Sequence, residues 1–492
     1  MRSFLLSKVA IPLHLAFIAC YLACVQIRPD GILEYLPLAW FAAGLIEITL
    51  LFPSAKSGEE VYDARRRVFT SVRKDPVLIL GIVGFLFILF QTLNGPRTIS
   101  YNSFTSAWEF AEARIRDFPA CIDQLLSVQG LFWNILTISA MLAIRNGIGK
   151  KGRLLVLKFL VAVSAGLSIY GLATYAPMSP EAGPQPFATF PDPVTAGVYF
   201  FIHFCLSCSL FATEMGEAAE KHSGKWIPRL LLLAAVLNFV GTLYSLSCIC
   251  IAAAVAALLI LFVYSAVYLH RRIEPAKKVR MTAVGFILLA VMAYMHFIAY
   301  PANRIHERTD KITSGQWVTE EQTAEKQTLT AVAARMFRKN MVHGVGTWGY
   351  AIPECFGMYI EDSEWDNLPA SEDAPLTCHN DSLQFLAEYG IVGFAILVSP
   401  FLLLIFTSLY RLGYEFRPKS KKMEDSTTSS EHETRPFTDR ITPNVLALIF
   451  AVTVPLVISF KFSIFRYPLI MLTWTVCLSV LSTLLPKPGG KA

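Results

Sequence analysis

The feature that most constrains this chain is the length of its charge-free blocks. Ten stretches contain no Asp, Glu, Lys or Arg, and the shortest of them has 19 residues. A run of about 18 or more such residues can cross a bilayer as a helix. Only 16% of the 492 residues are charged, whereas ordinary soluble domains have about 25%. The sequence therefore predicts a polytopic membrane protein and excludes a soluble enzyme, a disordered chain and a secreted disulfide scaffold.

Twelve helices account for these blocks. Leu230–His270 is long enough for two crossings, and Tyr244–Ser247 is its polar hairpin. Ile32–Phe52 is accepted as a span because its two acidic residues, Glu34 and Glu47, lie near its ends. The predicted spans are 8–27, 32–52, 76–93, 126–144, 154–175, 194–212, 229–245, 248–269, 281–300, 389–410, 443–460 and 467–485.

The positive charges predict the orientation of the spans. With the N-terminus inside, the inner segments contain 29 Lys and Arg residues and the outer segments contain 13. Because inner loops of membrane proteins are enriched in Lys and Arg, both termini are predicted to lie inside. The predicted organisation is nine membrane helices in residues 1–300, an outer cap loop in residues 301–388 and three membrane helices in residues 389–492. The net charge of +6 needs no nucleic-acid partner, because basic loops lie beside anionic lipid headgroups.

The outer cap loop contains a predicted amphipathic helix at about residues 320–341. At 100° per residue, one apolar stripe forms on this helix; it consists of Leu329, Val332, Met336 and Phe337. Lys326 projects into the stripe, whereas Arg335 and Arg338 fall on the opposite side. Lys326 is therefore either a snorkelling lysine at the edge of a packed helix or a cation that binds an anionic ligand. Arg335 and Arg338 are either a solvated face or additional contacts to such a ligand.

Two further motifs follow in the cap loop. Gly344–Tyr350 is a glycine-punctuated turn, and the run from Cys378 leads directly into a predicted span. Asn380 or Asp381 can cap that helix, which puts His379 just before the helix start at the outer membrane face. A helix N-terminus favours the uncharged imidazole that a general base requires. The alternative for His379 is a capping or interface residue.

The run His379–Phe394 resembles the signature of the bacterial O-antigen ligase and polymerase superfamily; it reads H-N-D-S-L-Q-F-L-A-E-Y-G-I-V-G-F. The turn Gly344–Tyr350, which reads G-V-G-T-W-G-Y, is similar to the G-x-G element of the same proteins. The segment Pro186–Ala196 is similar to their shorter outer loop before a span. The order of these elements and the twelve spans also fit the family.

The resemblance implies an all-α polytopic membrane protein with about twelve transmembrane helices, one large periplasmic loop and a fold like that of the glycosyltransferase-C enzymes. It implies a place in the bacterial inner (plasma) membrane and a glycosyltransferase activity without metal or other cofactor. The implied donor is a glycan on undecaprenyl diphosphate, and the implied acceptor is a sugar hydroxyl of a glycan or of the lipid A core. His379 is the implied catalytic residue, and Lys326 stands where the family commonly has an arginine. The family often has Ser-Arg-Gly at the hairpin before the eighth span, whereas this chain has Ser245–Cys248 without an arginine.

The candidate substrate-binding residues come from the two motifs and from the basic side of the predicted cap helix. They are Arg335, Arg338, Gly344, Gly346, Trp348, Asn380, Asp381 and Glu388. For Glu388 two interpretations stay open, namely a partner for a cation of the site and a marker of the membrane interface.

Three functions remain as alternatives. A ligase transfers the glycan to a lipid A-core acceptor, whereas a polymerase uses a second lipid-linked glycan as acceptor. A twelve-helix transporter is less consistent with the sequence, because transporters bind their substrates near the bilayer midplane and the motifs here lie in an outer cap. The acidic residues from Glu361 to Asp366 resemble metal-binding carboxylate pairs, but a solvated acidic face is the simpler interpretation.

The cap loop also contains Cys355 and Cys378, which are predicted to form a disulfide because the outer side is oxidising. Cys121 is a competing partner.

The predicted topology can be tested by thiol labelling. Cysteines introduced at Ser57 and Ser420 are expected to resist a membrane-impermeant thiol reagent, because both positions lie in predicted inner segments. A cysteine at Ser314, in the outer cap loop, is expected to react. Labelling of intact cells measures the reactivity of all three cysteines, with the unsubstituted chain as the control. A reaction at position 57 or 420, or no reaction at position 314, contradicts the span count.

Overall fold

In a computed structural model of the chain, helices dominate. The structure describes residues 59–104, 107–111, 113–115, 118–174, 187–190, 192–221, 226–245, 247–270, 320–368, 377–416 and 441–485, together with Thr49, Leu50 and Pro53. The predicted spans at 8–27 and 281–300, and nearly all of the span at 32–52, lie outside the described residues.

The described helices are numbered α1 to α12 in chain order. They are α1 Val61–Lys74, α2 Pro76–Leu93, α3 Gln124–Leu142, α4 Lys150–Thr174, α5 Pro193–Lys221, α6 Trp226–Tyr244, α7 Cys248–His270, α8 Glu320–Lys339, α9 Pro353–Gly357, α10 Asp381–Phe416, α11 Pro443–Ile458 and α12 Pro468–Leu484. A π-helical turn, Ala143–Gly147, continues α3, and two 3₁₀ turns lie at Gly349–Ala351 and Asp362–Asn367. Two short strands, β1 Ile99–Asn102 and β2 Ala107–Phe110, form an antiparallel hairpin in which Ile99 pairs with Phe110. This hairpin is a small exception to the predicted all-α class.

Seven described helical segments are long and apolar enough to cross a membrane. They are Pro76–Leu93, Gln124–Gly147, Lys150–Thr174, Pro193–Ala218, Trp226–Tyr244, Ile249–Leu269 and Asp381–Tyr414. Each overlaps a predicted span. The helices α11 and α12 are shorter apolar helices at the last two predicted spans. The protein is therefore a polytopic, mostly helical membrane protein, and the count of twelve spans stays a prediction.

The chain divides into two compact units. The first unit comprises residues 1–153, 293–401 and 454–476, and the second comprises residues 154–292, 402–453 and 477–492. In the second unit α5 is the most buried of the candidate spans and packs against α6 and α7. In the first unit α2 packs against α3, and Arg145 donates from Nε to Asp75 Oδ2 at 2.9 Å. The cap helix α8 and the start of α10 also belong to this first unit.

The apolar stripe predicted for α8 is confirmed. Leu329, Val332 and Met336 are buried, and Phe337 packs against them as a partly buried residue. They join a cluster formed by the residues after the helix, including Val345, Tyr350, Ile352, Cys355, Phe356 and Tyr359. The cap therefore has its own hydrophobic core, which sets the rotation of α8.

Helix α10 is interrupted at Gly390, where φ is 65° and ψ is −176°. The N–H groups of Ile391 and Val392 cannot reach their helical acceptors and donate instead to the carbonyl oxygens of Met341 (2.9 Å) and Val342 (3.3 Å). The carbonyl oxygens of Ala387 and Glu388, which are freed by the break, accept from the N–H groups of Val345 and Gly346, both at 2.9 Å. The glycine turn thus replaces the helical bonds that the break removes. No backbone group at this buried position is left without a partner by the exchange, as burial requires.

The glycines of the turn allow this close approach. A Cβ atom at Gly344 would lie 2.3 Å from the backbone of Glu388, and one at Gly346 would lie 2.8 Å from the Ala120 carbonyl oxygen. Both residues have positive φ values, 70° and 113°, which glycine adopts at little cost. The structure gives Gly344 and Gly346 a packing role, and the substrate contact predicted for them stays a prediction.

Gly390→Ala is expected to destabilise the protein. The added Cβ would lie 2.2 Å from the Val342 carbonyl oxygen, and a left-handed φ costs a non-glycine residue about 1–2 kcal/mol before any clash. A thermal unfolding curve in detergent measures the effect. Gly413→Ala, later on α10, is the matched control, because its Cβ would meet no atom within 4 Å and alanine favours a helix. Equal unfolding temperatures for the two variants would contradict the role given to the break.

Candidate active site

The start of α10 forms a tight backbone reversal that contains His379. His379 has a φ of 58°, in the left-handed region that few non-glycine residues adopt. The Asn380 side-chain oxygen accepts from the Leu383 N–H at 3.0 Å, which is the N-cap interaction that the sequence predicts. The Cys378 N–H donates to Gln384 Oε1 at 3.1 Å. Together these bonds fix the backbone from which the half-buried imidazole of His379 projects.

The segment between α11 and α12, residues 459–467, is tied to the same helix start. We call it the 459–467 loop. The buried Asp381 carboxylate accepts from the N–H groups of Ile464 (2.8 Å) and Phe465 (2.9 Å). The Asp381 N–H donates to the Ser459 carbonyl oxygen at 3.0 Å. Asp381 therefore anchors the loop beside His379, and the substrate contact predicted for Asp381 stays a prediction.

About two turns after Asp381 on α10, Glu388 forms a buried ion pair with Arg466 of the 459–467 loop. The Glu388 side chain is fully buried and that of Arg466 is 8% exposed. The Trp348 backbone N–H also donates to the Glu388 carboxylate. The Arg466 guanidinium carbon lies 4.2 Å from the Trp348 ring centroid and 5.5 Å from that of Phe385. Of the two interpretations of Glu388, the structure supports the partner of a cation.

Arg466 was not among the residues that the sequence analysis selected. Its only sequence signal is its place beside Lys461 in a short outer segment, since the outer side as a whole has few basic residues. Arg466 is more than 70 residues from Glu388 in the chain, so no local pattern predicts the pair.

Two contacts connect α8, the helix of Lys326, to the His379 reversal and to the 459–467 loop. Thr330, one helical turn after Lys326 and on the same face, donates from its hydroxyl to the Cys378 carbonyl oxygen at 3.3 Å. The Lys326 ammonium lies 4.0 Å from the ring centroid of Phe462 in the 459–467 loop. Burial lowers the pKa of Lys326, and the charge of Lys461 lowers it further. Among the described residues no carboxylate pairs with Lys326.

Arg335 faces a different part of the cap. Its Nε donates to the Tyr359 carbonyl oxygen at 2.6 Å, and its guanidinium pairs with Glu361 (3.2 Å) and with Glu364. Arg338 is exposed. Arg335 is thus engaged with the acidic segment of the cap, and the substrate contacts predicted for Arg335 and Arg338 stay predictions. Within the described residues, no group of three or more His, Cys, Asp and Glu side chains is arranged to hold a metal ion.

The predicted disulfide between Cys355 and Cys378 is not formed. Both residues are buried free thiols in the cap core, as is Cys121 elsewhere in the first unit. The Cys378 thiol donates to the Asn380 carbonyl oxygen at 3.2 Å, so its side chain is directed to the His379 reversal. Burial raises the pKa of Cys378 to about 12, which keeps this thiol protonated and unreactive at neutral pH. The sequence predicts the disulfide from the oxidising outer side alone, but a disulfide also requires a specific geometry of the two side chains.

A cavity of about 100 Å³ lies beside Arg466. Its walls are mainly apolar side chains of α2, α3, α10 and α12, among them Ile88, Trp133, Ile138, Leu397 and Phe401, and Trp348 and Phe385 complete them with Arg466. The site therefore combines an apolar cavity in the membrane-spanning helices with cations and a histidine from the cap and the loop segments. That combination suits an amphiphile with an apolar chain and an anionic head.

The chain was compared with known protein families and with curated proteins. A family model described as O-antigen ligase matches residues 230–398, a segment that includes Lys326, His379 and Glu388 but ends before the 459–467 loop. A search among curated proteins finds no match. Residues 230–398 are thus similar to the O-antigen ligase family, and the resemblance of the chain to the O-antigen ligase and polymerase superfamily is confirmed.

Proposed function

We propose that this protein is a glycosyltransferase of the O-antigen ligase type, which moves a glycan from undecaprenyl diphosphate to an acceptor sugar hydroxyl at the periplasmic face of the inner membrane. The observations that support the proposal are two contacts, one of Thr330 with Cys378 and one of Lys326 with Phe462. The Thr330 bond to the Cys378 carbonyl oxygen and the Lys326 contact with Phe462 bring a cation and a histidine from separate parts of the chain to one end of α10. These are the two groups that displacement of a diphosphate requires, namely a base and a cation.

In the proposed reaction the acceptor hydroxyl oxygen attacks the anomeric carbon of the donor glycan. His379 takes the hydroxyl proton as the new carbon–oxygen bond forms. The bond from the anomeric carbon to the diphosphate oxygen breaks, and the lipid diphosphate leaves with the bonding electrons. Lys326 stabilises the negative charge that grows on the leaving diphosphate. No metal ion or nucleotide takes part in these steps.

The geometry of the donor supports the same assignment. The isoprenoid chain stays in the hydrocarbon layer, so the diphosphate lies near the level of the lipid headgroups. His379 precedes a helix that is apolar enough to span the membrane, which suits a reaction at that depth. The apolar cavity beside Arg466 offers contacts for the first part of the lipid chain. The identity of the acceptor separates ligase from polymerase, and we favour the ligase because the matching family model is described by that activity.

His379→Ala is expected to abolish transfer but to leave donor binding largely intact. Loss of a general base typically lowers the rate about 10²–10⁴-fold, and the diphosphate contact with Lys326 does not depend on the imidazole. Transfer of labelled glycan in proteoliposomes measures the rate, and titration with lipid-linked donor measures binding. A variant that retains full transfer would rule out His379 as the base. A donor that is consumed without any acceptor product would point to a different reaction.

Lys326→Ala is expected to weaken both donor binding and turnover by about tenfold or more, since a charged contact to phosphate is lost. Lys326→Arg is expected to retain substantial activity because it keeps the charge. Arg335→Ala is the matched control on the same helix, because Arg335 is engaged by Glu361 and Glu364. Donor affinity and initial rates in proteoliposomes measure the three variants. If Arg335→Ala inactivates the protein while Lys326→Ala does not, the opposite face of α8 binds the diphosphate.

The lowered pKa of Lys326 predicts a pH effect on donor binding. The ammonium is the form that binds an anion, and it loses its proton at a pH below the ordinary lysine value of 10.5. Donor affinity of the wild type should therefore fall as the pH rises through that lowered pKa. In Lys326→Arg the guanidinium stays charged, so its affinity should change less over the same interval. If the donor affinity of the two proteins changes equally with pH, Lys326 has no role in binding.

A further inference from the structure

The 459–467 loop has a fixed position beside the candidate base. Asp381 accepts from the N–H groups of Ile464 and Phe465, and its own N–H donates to the Ser459 carbonyl oxygen. Asp381 is two residues from His379, so the loop is held at the same helix start. A side chain on this loop is therefore positioned relative to His379 by the hydrogen bonds of Asp381.

The loop places a second lysine next to Lys326. The Lys326 ammonium lies over the Phe462 ring at 4.0 Å from its centroid, and Lys461 precedes Phe462 in the loop. The two lysines are close enough for the charge of Lys461 to lower the pKa of Lys326. Lys461 is exposed, so a ligand can reach it.

The two lysines differ from the other cations of the site. Arg335 is paired with Glu361 and Glu364, and Arg466 is paired with Glu388. In the part of the chain that the structure describes, neither Lys326 nor Lys461 has a carboxylate partner. Two like charges that approach each other, one of them half-buried, are unfavourable unless an anion lies between them.

We propose that Lys461 is a second diphosphate-binding residue, which acts with Lys326 across the Phe462 ring to hold the two phosphates of a polyprenyl diphosphate donor. This inference rests on the proposed function and extends it to a residue outside the matched domain. A lipid-linked sugar diphosphate carries about one negative charge on each phosphate, so two separate ammonium groups match its charge. A lysine binds phosphate as a point charge, in contrast to the bidentate fork of arginine, and two lysines on different elements can each take one phosphate.

Lipid binding by the full-length protein in nanodiscs of zwitterionic lipid tests the proposal. The probes are a polyprenyl diphosphate and the corresponding polyprenyl monophosphate. Lys461→Ala is expected to lower the affinity for the diphosphate about tenfold and the affinity for the monophosphate much less. Only the diphosphate has a second phosphate for Lys461 to bind. Lys461→Arg should restore most of the affinity. The change in preference between the two probes is a result that a purely structural role of Lys461 would not produce.

The matched control is Lys339→Ala, which removes an exposed lysine of α8 whose ammonium lies 5.3 Å from the Tyr359 ring centroid. It should bind both probes as the wild type does. If Lys461→Ala binds the diphosphate as tightly as Lys339→Ala does, the proposal is overturned. The proposed function would still stand in that case, provided that Lys326→Ala weakens binding and His379→Ala abolishes transfer.

A further arm separates the donor from an ordinary lipid headgroup, which also carries a phosphate. Nanodiscs that contain phosphatidylglycerol should leave the preference for the diphosphate probe in place. If phosphatidylglycerol competes with the diphosphate probe as well as unlabelled polyprenyl diphosphate does, the lysine pair is a general headgroup site and the proposal fails.

Discussion

The site depends on the exchange of backbone hydrogen bonds at Gly390. A continuous helix would bond its own carbonyl oxygens at Ala387 and Glu388, and the glycine turn could then make no contact with it. The left-handed φ of Gly390 frees those oxygens, and Val345 and Gly346 donate to them. The cap is thus joined to the membrane-spanning helix by main-chain bonds, which hold whatever side chains the turn carries. Trp348 is positioned in this way beside Glu388, and its N–H donates to the carboxylate.

A second constraint on the site is the buried ion pair of Glu388 and Arg466. Glu388 and Arg466 would each be costly alone in an apolar interior, and removal of one partner of such a pair typically costs about 3–5 kcal/mol. Their pairing, with two aromatic rings near the guanidinium, joins the 459–467 loop to α10 at a second point after Asp381. Two anchors on one helix restrict the loop more than either does alone. The loop therefore presents Lys461 and Phe462 from a defined place, although the side chains themselves are at the surface or only partly buried.

Much of this arrangement can be predicted from the sequence, because some of its causes are local. Long apolar runs identify the described membrane-spanning helices, and the 3.6-residue period identifies the buried stripe of α8 and the exceptional position of Lys326 on it. The N-cap at Asn380 follows from residue type. The pair of Glu388 and Arg466, the Asp381 bonds and the free state of Cys355 and Cys378 have no such signal, since each depends on parts of the chain that meet only in the folded protein. The β-hairpin at residues 99–110 was missed because its strands have only four residues each.

The distribution of paired and unpaired cations favours one orientation of an amphiphilic ligand in the site. Arg466 is neutralised by Glu388 and borders the apolar cavity, so that cavity offers little net charge to a ligand and suits a hydrocarbon chain. Lys326 and Lys461 are not neutralised by a carboxylate of the described residues. Lys461 belongs to the 459–467 loop, and Lys326 contacts that loop from α8. An amphiphile that enters such a field has one favourable orientation, with its chain toward Arg466 and its phosphates toward the lysines. In the proposed reaction, that orientation would turn the bond between the diphosphate and the sugar toward the reversal that carries His379. A site with all its cations paired would bind the lipid chain but would not align the scissile bond, and one with all of them unpaired would be too costly to bury.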